Sequence, residues 1–323
     1  MNMRPFARRT HLLIFFLLLS AVLLMNSCGR KDRPTLKSFE KPETVKEIRI
    51  LHRKEGLILS WSYPEHAVSN ISGFYIDKAE GGETKFRNVR FLNSDVFTFT
   101  DPDCLPGTLY RYKIRAYSLK DVIGDDSAVI TVTPAEPPPP PSGLSFKISG
   151  KTLEISWAPA GPGVLYNIYK TYESGKEASS LLNRAPLGGT SFRDRIEPER
   201  SVYYAVRSLL DTPVGDEGLP SPAVEVSPAS FVPSPPVGLL AVPSEHFVML
   251  TWRDNPETWT RGYRVYRKMQ GETGFGIIGE TLSPLFKDPV KLTTVAAYRV
   301  AAMGPTVESR PSEIIETLLP AVP

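Results

Sequence analysis

Apolar and polar positions alternate with a period of two in three short stretches, each closed by a tryptophan. Leu57, Leu59 and Trp61 mark the first, Leu153, Ile155 and Trp157 the second, and Val248, Leu250 and Trp252 the third. The tryptophans stand 96 and 95 residues apart. An alternation of this kind is the mark of a half-buried strand. Further stretches recur in the same order in each unit. They are "GFYIDK", "LYNIYK" and "GYRVYR"; a Phe-x-Asp at Phe99–Asp101, Phe192–Asp194 and Phe286–Asp288; and "YKIRA", "YAVRS" and "YRVAA". A last strand then follows Ser127, Ser221 and Ser312. No unit carries a helical period, and "ESGKEASSLLNRA" around Lys176 reads as a loop or an excursion at a strand edge. About seven short β-branched and aromatic strands per unit predict an antiparallel sandwich.

Each unit resembles a fibronectin type III domain, through the early-strand Trp, the Tyr-x-Val-Tyr strand and the Tyr-x-Val-x-Ala strand. The resemblance implies an all-β chain of three tandem fibronectin type III-like (immunoglobulin-like) antiparallel sandwiches. It makes Tyr110, in "LPGTLYRYKIRA", a tyrosine corner whose hydroxyl bonds back to upstream backbone. Val202 and Ala296 stand at that position in the later units, so packing alone is expected to hold their corners. The expected boundaries are 42–136, 137–230 and 231–323, together 282 residues and hence three units of 94, leaving no stretch for a catalytic domain. The linkers "AEPPPPPSG" and "SPASFVPSPPVG" are proline-rich, and such runs act as semi-rigid spacers. They predict domains spaced as beads.

The N-terminal pattern is of another kind. Arg4, Arg8 and Arg9 precede Leu12–Met25, 14 residues that are apolar except for Ser20. That is the length of a signal-peptide core and falls short of the ~20 residues of a spanning helix. Ser27 and Cys28 follow, and the stretch resembles a bacterial lipoprotein signal. The resemblance implies cleavage of residues 1–27, a diacylglycerol on the Cys28 sulfur, and a tether over 28–41. Gly29, where an aspartate favours inner-membrane retention, implies passage to the outer membrane of a bacterial cell envelope. An ordinary secretion signal, or an uncleaved anchor with a chance cysteine, is the alternative.

Composition narrows the function classes. The chain has 38 Lys and Arg against 35 acids. Without the three signal arginines the balance is 35 to 35, with no case for nucleic acid. With Cys28 lipidated, Cys104 has no partner in the chain, and an inert thiol or an intermolecular disulfide are its two readings. His52, His66 and His246 are scattered, with no metal spacing, and neither cofactor nor catalysis is expected. "GDD" at Gly124–Asp126 and "GDE" at Gly215–Glu217 read as solvated turn carboxylates, with calcium binding as the rival. Tyr169, Tyr266 and Trp259 are the candidate binding-surface aromatics, against a reading in which they cover a sheet face or plug a sandwich end. The expected role is a non-catalytic lipid-anchored protein that presents its domains to a protein partner or spaces them. A polysaccharide- or peptidoglycan-binding protein, or an accessory subunit of a surface enzyme or assembly complex, are the alternatives.

Overall fold

Residues 41–317 are described in a computed structural model. The first unit runs β1 (Lys46–Arg53), β2 (Gly56–Ser62), a one-turn helix α1 (Glu65–Val68), β3 (Ile71–Glu80), β4 (Arg87–Asn93), β5 (Thr98–Asp101), β6 (Tyr110–Ser118) and β7 (Ile130–Val132). Its sheets have the orders β1-β2-β5 and β4-β3-β6-β7. The second unit runs β8 (Ser142–Ser149), β9 (Thr152–Ala158), β10 (Val164–Thr171), β11 (Ser180–Leu181), β12 (Ser191–Arg195), β13 (Val202–Leu210), β14 (Glu217–Pro220) and β15 (Val224–Val226). Its sheets are β12-β9-β8 and β11-β10-β13-β14, with β15 also on β13. The third runs β16 (Leu240–Pro243), β17 (Val248–Thr251), β18 (Gly262–Met269), β19 (Gly276–Thr281), β20 (Leu285–Asp288), β21 (Ala296–Met303) and β22 (Ile315–Glu316). Its sheets are β16-β17-β20 and β19-β18-β21-β22. All pairings between these strands are antiparallel, and the plan recurs three times.

The recurring sequence marks are the residues that close each sandwich. The inward Trp of the small sheet meets an aromatic of the large sheet edge-on, with ring centroids 5.5 Å apart for Trp61–Phe74, 5.5 Å for Trp157–Tyr166 and 5.1 Å for Trp252–Tyr263. Three other marks converge on one cluster, buried in the first unit and partly buried in the other two. Tyr112 donates to Asp101 at 2.6 Å, and Lys78 pairs with the same carboxylate at 2.7 Å. Tyr204, Asp194 and Lys170 repeat the arrangement at 2.9 and 3.3 Å. Tyr298, Asp288 and Arg267 repeat it at 2.8 Å for both contacts. A buried charge is costly unless paired and hydrogen-bonded, so each member of the triad is needed by the other two. Burial pushes all three phenols far above their ordinary range, and the adjacent carboxylate adds to the effect. The serine mark has a separate use. The hydroxyls of Ser127, Ser221 and Ser312 accept the N–H of Ile114, Val206 and Val300, where the last strand has turned away. Tyr110 forms the expected corner, accepting the Leu105 N–H at 2.9 Å, while Val202 and Ala296 are buried in the cores of their units.

The units are not spaced beads. The 211–216 turn after β13 reaches into the end of the first unit, where Val214 joins that unit's core. The His52 N–H donates to the Gly215 carbonyl at 3.3 Å, and the His52 Nδ1 lies 2.8 Å from the Asp216 carboxylate. The proline linker is docked as well. Ser208 donates to the Pro139 carbonyl at 2.6 Å. An added Cβ at Gly218 would lie 2.1 Å from the Pro138 carbonyl oxygen, so only glycine lets the linker lie there. The second joint is aromatic. The linker turns at Pro228–Ser230 within a Ser227/Ser230 capping box, and the fully buried Phe231 packs on Trp259 at 5.6 Å. Arg261 pairs with Glu199 across this joint. Proline runs are stiff in isolation, but here they have carbonyls and ring faces to offer, and neighbouring units use them.

Candidate functional site

The candidate residues fall in different environments. Cys28 lies outside the described residues. Tyr169 is not a surface aromatic. It is 5% exposed, with its hydroxyl donating to Glu217 at 2.6 Å and accepting from Arg53 at 2.9 Å. Trp259 is not one either: it is 7% exposed and belongs to the core cluster of the second unit, reaching there from the third. Period two places both on an outer face or loop, but other chain segments then cover them. Tyr266 is half-buried, its hydroxyl donating to Glu308 at 2.6 Å and its ring covered by the Arg299 guanidinium at 5.2 Å.

The "GDE" turn is likewise not solvated. Asp216 and Glu217 are both fully buried. Asp216 accepts from the Ala135 N–H at 2.8 Å and from Thr212 at 2.7 Å, besides facing His52. Glu217 accepts from Arg53 at 2.6 Å, Asn167 at 2.8 Å and Tyr169. These are the polar groups of the first joint, and they leave no lone pairs arranged for calcium. Burial drives the Tyr169 phenol well above its ordinary range, helped by the Glu217 charge. Burial alone would lower Arg53, but Glu217 and Tyr169 outweigh it and hold the guanidinium more firmly charged. "GDD" is nearer the expectation: Asp126 is exposed and pairs with Lys113 at 2.8 Å. Cys104 is half-buried beside a cleft of about 450 Å³ between the first two units, lined also by Lys54, Pro102 and Glu136. Burial raises its thiol, which disfavours the thiolate form. Among the described residues, no three His, Cys, Asp or Glu side chains stand close enough together to hold a metal ion.

Sequence reasoning missed the aromatic cluster that the structure does expose. On the outer face of β3, β4 and β6, Tyr75 packs against Phe91 at 4.9 Å and Tyr117 at 5.4 Å, and the latter two are 6.2 Å apart. Phe91 is 39% exposed, and Ile123, paired beside Tyr117, is 45% exposed. Gly73 lets β4 approach at this place: an added Cβ there would lie 1.9 Å from the Leu92 carbonyl oxygen, as well as 2.9 Å from the Phe91 ring. Below the rings runs a basic row, Arg115, Lys113 and Arg111, at alternate positions of β6. Arg115 pairs with Asp77 at 2.8 Å, and Lys113 and Arg111 flank the Phe86 ring at 4.7 and 5.8 Å. The signal was present in the outward positions 75 and 117, which alternate with the core residues Phe74 and Ala116.

The strand order and the threefold plan define a tandem array of fibronectin type III-like sandwiches. No known family pattern matches the chain. Among solved structures, the chain is similar to the FN1–FN3 domains of chicken CNTN1, at 17% identity over 85% of this chain and 96% of the other, with a TM-score of 0.28. It is also similar to a two-domain fibronectin type III segment of chicken tenascin, at 19% identity over 55% of this chain and 99% of the other, with a TM-score of 0.39. Superpositions this loose add no argument to the strand order.

Proposed function

We propose that this is a non-catalytic, lipid-anchored protein of the bacterial cell envelope, held at the outer membrane through Cys28. Its three fibronectin type III-like domains serve as a stiff spacer that presents a protein-binding surface. The observation that carries the spacer role is the closure of both joints by buried side chains, Val214 and the Asp216–Glu217 pair at one and Phe231–Trp259 at the other. Flexible connections would let the domains reorient, whereas packed joints hold a fixed reach. The polar clusters inside the domains support a non-catalytic reading, because Tyr, Asp and Lys or Arg spend their hydrogen bonds on one another.

The anchor is tested with Cys28→Ser. The variant is expected to remain an uncleaved precursor and to leave the outer-membrane fraction. Retention there at unchanged mass overturns the anchor. Residues 29–323 are expected to show no turnover across hydrolase and oxidoreductase panels, with or without divalent metals. Activity that copurifies and vanishes on one substitution overturns the non-catalytic reading.

A further inference from the structure

We infer that the outer face of β3, β4 and β6 in the first unit docks a segment of a partner protein. That segment sets an apolar side chain on the Tyr75–Phe91–Tyr117 rings and an acidic side chain on Arg111. The inference rests on the protein-interaction reading above and names its site. The second unit supplies the template. There the same sheet face is covered by the chain's own 172–187 segment. Ala178 is buried against Tyr169 and Ala205, Glu177 pairs with Arg207, and Ser180–Leu181 adds to the edge of β10. Arg207 follows Tyr204 as Arg115 follows Tyr112, so the two arginines occupy one position of the plan. In the first unit the corresponding stretch, residues 81–97, puts seven of its residues into β4 at the edge of β3, and none of its residues is buried over the face. The positions that take Ala178 and Glu177 in the second unit are held in the first by Asp77, Lys113 and Arg115, which pair among themselves and with Asp126, and the rings beside them are left partly open.

The charges on the open face say where the acid belongs. Arg115 and Lys113 already have the carboxylates Asp77 and Asp126. Arg111 bonds only to the Glu83 backbone carbonyl and has no carboxylate partner among the described residues. Residues 111 and 117 are six positions apart on β6, so about six extended residues, or ~20 Å, span rings and arginine. The three rings meet at 55°, 65° and 86°, so they form a tilted apolar knob and not one flat platform.

The test pans a random dodecapeptide display library against the full chain in detergent, with counter-selection on a Tyr75→Ser/Phe91→Ser variant. Enriched peptides are expected to pair an apolar residue with Asp or Glu. They should bind the double variant more weakly by about tenfold or more, a difference of ~1.4 kcal/mol. Arg111→Glu should weaken the acidic peptides similarly and favour versions in which Lys replaces the acid. All these positions are on the outer face, and thermal melts of each variant show whether it remains folded. Peptides that bind wild type and double variant alike overturn this site while leaving the protein-interaction reading standing. No enrichment overturns both. Binding of soluble peptidoglycan fragments that is lost in the double variant replaces the peptide with a glycan and overturns the proposal. Self-association lost in the same variant does so in favour of a second copy. None of these outcomes depends on Cys28, whose role is read separately from fractionation.

Discussion

The first and second units share one plan and use the outer face of their larger sheet in opposite ways. In the first, Tyr75, Phe91 and Tyr117 gather with Phe91 exposed and the two tyrosines half-buried. In the second, the equivalent surface holds Asn167, Tyr169, Ala205 and Arg207, all buried. The difference begins in how one connection is used. The chain between β3 and β5 puts seven residues into the edge strand β4, whereas the similar length between β10 and β12 puts two into β11 and folds the rest back over the sheet. Covering a face with polar atoms then imposes a second demand, because each buried donor needs an acceptor. Glu217 meets it, serving Arg53, Asn167 and Tyr169 at once. An open face makes no such demand and can keep rings that water tolerates.

This contrast can be broken in several places. The largest effect is expected in alkali. Tyr169 and Tyr204 keep their protons in the folded second unit to well above the ordinary phenol value of about 10. The unfolded chain releases them from about pH 10, so stability present below that pH is lost as the pH rises above it. Each phenol contributes a loss of roughly 1.4 kcal/mol per pH unit. Denaturant melts between pH 9 and 12 should show that slope, and Tyr169→Phe should reduce it by one phenol. An unchanged slope in that variant would mean that Tyr169 titrates freely.

Next in size is Glu217→Ala, which strands Arg53 among buried partners. A loss of ~3–5 kcal/mol is expected in urea melts at neutral pH, in line with breaking a buried pair. Val214→Ala should cost about 2 kcal/mol. Its signature is where the loss appears: hydrogen exchange should speed up in β1 of the first unit, which the turn contacts, although the residue belongs to the second. The smallest effect is expected from Phe91→Ala on the open face, under about 1 kcal/mol in the same melts, since an exposed ring loses little packing. A larger loss would make the open cluster a structural device and remove the contrast.

The sequence made the architecture legible because each sandwich spends the same residues on the same task. Tryptophan, the Phe-x-Asp and the Tyr-x-Val strand recur at fixed spacing since the triad and the edge-on ring contact require them together. Tyr110, which does not recur, was readable as a corner through the family resemblance of its own segment. What lay beyond reach was whatever covers an outward position. Period two separates the inner face of a sheet from its outer one, but it does not say whether the outer face meets water. So Tyr169 and Trp259 read as surface aromatics and are buried. Asp216 and Glu217 read as solvated because "GDE" is turn-like, and the fact that decides against it is a neighbouring domain. Tyr75 and Tyr117 had the same outward signature as Tyr169, and they stay half-exposed because the chain after β3 forms the edge strand β4 and does not fold back over the face.

Val214 carries a consequence for how this chain can be divided. Its side chain fills part of the first unit's interior, while its backbone belongs to a turn of the second. A cut at the proline linker therefore leaves a void on one side, and on the other an exposed valine beside two carboxylates that have lost His52 and Arg53. The repeats have matching blueprints, yet they are not interchangeable parts. A shuffled or excised copy would have to be redesigned at this seam before it could stand alone.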